Sequence, residues 1–502
     1  MDKKQSIKRY LTIGAIFLTV VNLLVYNDVA SFWPVEKELL TTITATNEMP
    51  TNIAPLPAPV LALLNDTFPL HALILRFPAA LAILLILSGV YFLGRRIFGE
   101  PAARMTSLVG ATSFLLLTLG KLAGVDAWLV AAQVFQVLGL IYYLKKPELE
   151  WSIRSNIPFF LGCYLAPIPM FLWTGTLCLL LGMGHKSGRN LLKPIFFGPL
   201  LVAVGITLFS GGLSWDTPGL FMAWPRIEIG EYILYNVLAL LPWLAFLPAA
   251  IWDSIKKVRQ REELSTIYIS LFLAAIISGT ATLQIVLALM IGRHILFYFQ
   301  KGYPYQTIVR ALVVIHFVLA FFGLFAFIML AGYVQFGSLG YRAAITVAIA
   351  YWGGSLVSVT GIFSNNQGRV VGSLSVAAMI GFLMFWLNAF PLVENRRGWE
   401  KVMVEKASAF RSPDTKKILL IKEGDTEERH GPSVYAQAKG LELELILQKN
   451  IKQNKRKLND LIVIPKSIYL QTTPPPIILR DSVMIHDHIL DEGERYYLGK
   501  WK

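Results

Sequence analysis

The sequence predicts an α-helical polytopic membrane protein of about thirteen transmembrane helices with a small C-terminal α/β soluble domain, and three observations lead there. Of 502 residues, 55% are hydrophobic and only 16% charged, with a mean hydropathy of +0.55. The apolar residues recur in blocks of roughly 20, enough helix to cross hydrocarbon. From Glu394 onward the composition turns charged and mixed. The formal net charge of +14 would suggest nucleic acid in a soluble protein. Here the cations fall between apolar blocks, a pattern that sets topology and attracts anionic lipid and does not imply nucleic-acid binding. Cys163 and Cys178 are the only cysteines and both lie in apolar runs, so neither a disulfide framework nor a zinc site is available.

The elements follow in order. Lys3, Lys4, Lys8 and Arg9 precede the uncharged stretch Tyr10 to Tyr26, which reads as an uncleaved first helix with its N-terminus in the cytoplasm. It delivers Asn27-Asp28 to the far face. A Pro-rich outer loop, 28–70, follows; within it 35–40 and 60–64 suit short helices lying in the interface. Blocks at 72–94, 104–121 and 127–145 come next, with Arg95, Arg96 and Arg104, then Lys145, Lys146 and Arg154, on the cytoplasmic side. The link Gly120 to Asp126 is thereby outside. Pro167 and Pro169 break the run 157–184 into a hairpin, which keeps His185, Lys186, Arg189 and Lys193 inside. Further blocks occupy 193–212, 230–252, a pair over 266–300 divided at Gly279-Thr280, then 308–333, 342–363 and 371–393. The odd number of spans puts the tail outside. The membrane domain therefore covers 1–395 and the soluble domain 396–502, in which strand-like runs stand at Lys417 to Lys422, Leu441 to Leu447, Leu461 to Pro465 and Tyr496 to Tyr497.

This topology gathers two carboxylates on one outer face, Asp28 at the end of the first helix and Asp126 at the start of the fourth. Acids beside a membrane core are rare without a function; the alternative for Asp28 is a solvated residue that ends a helix. Lys121 and Arg76 lie near the same face. Such cations either meet an anion or snorkel to the interface and lipid phosphate.

The stretch Asp28-Val29-Ala30-Ser31-Phe32-Trp33-Pro34-Val35-Glu36-Lys37-Glu38-Leu39-Leu40 resembles the first outer loop of the polyprenyl-phosphate-dependent glycosyltransferases of GT-C fold, relatives of protein O-mannosyltransferases and of the lipid A aminoarabinose transferase. In that family the loop opens with an acidic pair and reaches a Glu-Met-Leu-like triplet ten residues later, where Glu38-Leu39-Leu40 stands here. Leu75-Arg76-Phe77-Pro78-Ala79-Ala80-Leu81 and Leu93-Gly94-Arg95-Arg96-Ile97-Phe98-Gly99 are similar to the family's second helix and its cytoplasmic end. Lys121 and Asp126 keep the family's spacing of a basic residue five before a second outer Asp. The similarity is best over 1 to about 150, architectural to 395 and weak beyond. Three departures stand out: Val29 replaces the second acid, Ala54-Pro55-Leu56-Pro57-Ala58-Pro59 occupies the place of a Glu-Lys-Pro element, and no Ser-Lys motif is recognisable around Ser278 to Gln284.

The resemblance implies an inverting transfer of a sugar from a polyprenyl-phosphate-linked donor to a periplasmic glycolipid, polysaccharide or protein, in the bacterial inner membrane. It makes Asp28 the base toward the acceptor hydroxyl and Lys121 and Arg76 the cations toward the donor phosphate. Asp126 would orient hydroxyls or share an optional divalent cation with Asp28; no cofactor is certain. His71, His294 and His316 read as packed or interfacial, and His486-Asp487-His488 as an exposed turn or strand end rather than a metal site. Two alternatives stand beside catalysis: a non-catalytic protein of surface-glycan assembly, which Val29 keeps open, and a lipid or solute transporter, which ordinarily carries repeats around a midplane charge.

Overall fold

The computed structural model describes residues 15–25, 72–122, 124–209, 229–331, 337–397, 399–411, 415–422, 441–447, 460–471, 477–485 and 494–501. The first outer loop, including Asp28, lies outside them.

Helices account for most of the described residues up to Arg397: α1 Ala15–Leu24; α2 Ala72–Phe92, α3 Gly94–Phe98, α4 Glu100–Ala111, α5 Phe114–Leu119 and α6 Asp126–Lys145; α7 Leu149–Leu165, α8 Pro167–Gly184, α9 Pro194–Phe209, α10 Ile229–Leu238, α11 Leu247–Arg259, α12 Glu263–Ser278 and α13 Leu283–Tyr298; α14 Gln306–Ala331, α15 Gly337–Phe363, α16 Gln367–Met384 and α17 Phe390–Arg397. Among the described residues six helical segments are long and apolar enough to cross a membrane, one bent pair passes the test together, and four more apolar helices are shorter. The chain is a multi-pass membrane protein.

Two blocks that read as continuous in the sequence are broken in the structure. The run 104–121 divides at Thr112-Ser113, and 230–252 turns by 97° between Leu238 and Leu241. Pro242 explains the second break, because it has no N–H for a helical bond. The breaks repair each other. Phe114 N–H donates to Ala239 O at 3.0 Å, Trp243 Nε1–H to Thr112 Oγ1 at 2.7 Å, and Ser113 Oγ caps Leu116 N–H at 3.5 Å. Irregular backbone at membrane depth persists only where protein satisfies it in this way. The expected division of 266–300 is present: α12 ends on Gly279 in the left-handed region (φ +63°), where glycine alone is unstrained. The expected break in 157–184 is also present, at Ala166 ahead of Pro167, between α7 and α8.

Without a hydrophobic force between helices, close packing decides their association. Gly139 of α6 is one such close approach. A Cβ there would sit 2.8 Å from Ser155 N and 2.9 Å from its Cα on α7, backbone that cannot swing away. Gly139→Leu is expected to force α6 from α7 and cost at least 1–3 kcal/mol or about that much in lost packing; thermal unfolding of the detergent-solubilised protein checks it, a melting point equal to wild type being the contrary result.

The tail begins with α18, Trp399–Ala409, and forms a five-stranded sheet in the order β2-β1-β3-β5-β4, with β1 Lys417–Lys422, β2 Glu442–Leu447, β3 Leu461–Pro465, β4 Ile477–Ile485 and β5 Glu494–Trp501. The strands β2, β1 and β3 are parallel, while β5 is antiparallel to β3 and β4. Alternate residues serve the two faces: Ile418, Leu420, Leu461 and Val463 pack on Met403, Val404 and Ala407 of α18, and Leu419, Ile421, Ile462 and Ile464 face Tyr469 and Tyr497. Four strands coincide with the runs expected. The sequence marks none over 477–485, because Arg480-Asp481-Ser482 interrupts the apolar pattern and the register slips between Leu479 and Asp481, a bulge.

Candidate active site

The site is built where α1 ends. Gly120, at the C-terminus of α5, lets three helices meet: a Cβ there would lie 2.5 Å from Leu23 Cδ2, 3.3 Å from Ile83 Cγ1 and 3.5 Å from Ala80 Cα. The next residue is Lys121, 6% exposed. Its ammonium donates to Val25 O at 2.6 Å and to Leu23 O at 3.4 Å. Those are last-turn carbonyls of α1 that lack partners within the helix, and a cation there also meets the negative end of the helix dipole. On another side the ammonium lies over the Trp386 ring, 4.7 Å from its centroid. The first helix and the link before α6 therefore share one end of the molecule, as the topology read from the sequence required.

Arg76 belongs to α2 and is 1% exposed. It is enclosed by protein and does not snorkel. Its charge is felt at Lys121: burial first, and Arg76 second, push the Lys121 ammonium down from 10.5 to about 7. Lys121 stands in the link between spans. Asp126 opens α6 and is likewise buried, its carboxylate near Gly124, where a Cβ would be 3.6 Å from Oδ2. An acid in a first helical turn is favoured by the dipole.

The lowered value has a sign. Between about 7 and 10.5 the unfolded chain holds the Lys121 proton and the folded chain releases it, so stability rises with pH across that window and the full penalty applies below it. Function runs the other way: the ammonium is charged below about 7 and loses its charge above. Lys121→Arg keeps the charge at every pH. The alkaline decline of any activity that needs this cation is expected to flatten in that variant; a decline at the same pH in both proteins speaks against Lys121.

The sequence-derived residues thus divide. Lys121, Arg76 and Asp126 are buried at or beside one link, and the end of α1 joins them. Asp28, Val29, Glu38, His71, the segment Ala54 to Pro59 and His486-Asp487-His488 lie outside the described residues. His294 and His316 are packed histidines, hydrogen-bonded to Tyr303 OH (3.0 Å) and Tyr351 OH (3.1 Å). No three of His, Cys, Asp or Glu come together among the described residues.

Sequence reasoning missed two parts. One is Trp386, which is buried against Lys121. The other is a neutral network deeper in the bundle. Gln133 Oε1 accepts from Thr280 Oγ1 at 2.7 Å and from Thr282 Oγ1, Tyr232 OH donates to Thr280 O at 2.7 Å, and Ser113 Oγ donates to Gln284 Oε1 at 2.6 Å. Gln284 Nε2 completes it on Asn236. Here the segment that lacks the Ser-Lys motif does have a polar task. The available signal was Gln133 itself, a polar residue inside an apolar helix.

Comparison with known proteins agrees with this architecture. Residues 52–215 match the family described as dolichyl-phosphate-mannose-protein mannosyltransferase. No curated protein matches the chain. Among solved structures, the apo crystal structure of ArnT from Cupriavidus metallidurans superposes with a TM-score of 0.64 at 13% identity, covering 99% of this chain and 98% of that one. The same ArnT bound to undecaprenyl phosphate gives a TM-score of 0.63 at 12% identity, covering 97% of each chain. The fold is that of the GT-C glycosyltransferases, the resemblance read from the first 150 residues.

Proposed function

We propose that this chain, on its GT-C fold, is a membrane glycosyltransferase that moves a sugar from a polyprenyl-phosphate donor to a hydroxyl of a glycan, lipid or protein acceptor. One observation carries the reading: the buried Lys121 ammonium caps the end of α1, with Arg76 close enough for its charge to act on it, and Asp28 follows Val25 by three positions in the sequence. The family match over 52–215, and the undecaprenyl phosphate bound by the ArnT relative, support the donor class.

Asp28 accepts the proton of the acceptor hydroxyl as its oxygen bonds to the anomeric carbon. The bond from that carbon to the phosphate oxygen breaks, inverting the centre and leaving a polyprenyl phosphate with one more negative charge. Arg76 and Lys121 oppose that developing charge, worth most in a site closed to water. An ammonium has three N–H donors; two serve Val25 and Leu23, and the third remains for phosphate. Asp126 orients hydroxyls, or shares a divalent cation with Asp28. The protein works in the bacterial inner membrane with its tail domain in the periplasm.

Purified protein in liposomes, given radiolabelled sugars on polyprenyl phosphate, is the test. Transfer to a glycolipid or polysaccharide acceptor supports the reading. Donor binding without transfer, over a panel of sugars and acceptors, favours the alternative that Val29 raises, a non-catalytic protein of glycan assembly.

A further inference from the structure

Around Lys121 the structure has a second device, built from the far end of the membrane domain. Trp386 lies in a π-helical turn, Phe385–Ala389, which follows α16. Such turns cost regular hydrogen bonding and often mark functional positions. Trp386 is 3% exposed, and its indole N–H has no hydrogen-bond acceptor among the described residues. Its contacts are made through its faces. The Phe114 ring stacks on it at 5.8 Å and 12°, with Phe385 and Phe390 edge-on at 5.2 and 4.8 Å. The Lys121 ammonium lies 4.7 Å from the ring centroid. Val25, whose carbonyl takes that ammonium, packs on the same aromatic cluster. One turn earlier, Asn22 Nδ2 donates to Met379 O of α16 at 3.1 Å. The end of α1 is thus fastened to α16 and its π turn twice, once directly and once through Lys121.

We propose that Trp386 is a positioning residue of the site: its ring holds the Lys121 ammonium against the last carbonyls of α1 and so fixes the point from which the chain leaves toward Asp28. The role of Asp28 in this statement rests on the proposed function; the hold on Lys121 does not. A cation is attracted to the face of an indole more strongly than to any other aromatic ring, and a leucine offers no such face. The depressed proton affinity of Lys121 follows from burial and from Arg76, so the ring and the carbonyls offset only part of the hydration the ammonium has lost.

The experiment compares wild type, Trp386→Phe, Trp386→Leu and Phe114→Leu as full-length protein in detergent. A small N-hydroxysuccinimide acetate ester is the probe, and mass spectrometry follows acetylation of the peptide containing Lys121. The leucine variant at 386 is expected to label Lys121 at least about fivefold faster than wild type, and the phenylalanine variant within about twofold. Phe114→Leu, which removes the ring behind Trp386, falls between and serves if Trp386→Leu does not fold. Equal Lys121 labelling in all folded variants overturns the proposal. In the transfer assay Trp386→Leu is expected to lose kcat, which Trp386→Phe largely restores; a loss that phenylalanine leaves unrepaired is also contrary. If wild type transfers no sugar, the function reading fails while the labelling contrast still decides this one.

Discussion

On the proposed function, Asp28→Asn is expected to abolish sugar transfer while leaving the protein folded and able to bind polyprenyl phosphate. The amide matches the carboxylate in shape but cannot accept the hydroxyl proton, a contribution of about two to four powers of ten in rate. The measurement is single-turnover transfer from a polyprenyl-phosphate sugar in liposomes, beside binding of polyprenyl phosphate alone. Undiminished transfer removes Asp28 from the chemistry. Loss of transfer together with loss of lipid binding assigns it to the donor site instead.

Lys121→Met is the second large effect. Methionine retains most of the apolar stem and fills the same space beside Trp386, so what is lost is the ammonium. Two consequences separate experimentally. The Val25 carbonyl loses the ammonium donor in a part-buried place, which costs about 1–3 kcal/mol in thermal stability for an acceptor left unsatisfied. In the proposed transfer the departing phosphate would lose a cation, for which a fall in rate of about tenfold or more is expected. The rise of stability with pH between about 7 and 10.5 should vanish as well, because no titrating group remains at that position. Combined with Asp28→Asn, the effects should be far from additive, since residues acting as one unit do not partition. Full additivity would mean that Lys121 works apart from Asp28.

The correspondence between sequence and structure follows from what each residue answers to. The α12–α13 pair was legible because Gly279 can take the left-handed conformation that ends a helix, a local property. The first three strands and the last were legible because period-two alternation is local too. The bend between α10 and α11 was not, although Pro242 is visible, because its acceptors and donors are repaired by Thr112 and Phe114, more than a hundred residues away. Arg76 shows the same limit. Periodicity left it free to snorkel or to meet an anion, and only the packing of α2 against its neighbours encloses it.

By itself the sequence determined that this is a multi-pass membrane protein with a small α/β tail, and that a basic residue and an acid flank one short link, because hydropathy, alternation and spacing are written along the chain. It also supplied the resemblance on which the chemistry rests. The tertiary structure alone decided that Lys121 caps the first helix, that Trp386 of the last long span lies against it, and that Gln133 meets Thr280 and Thr282. These contacts join residues 96, 265 and 147 or more positions apart. Their partners are chosen by how helices pack and by the cost of a buried polar group without one, which no stretch of sequence states on its own.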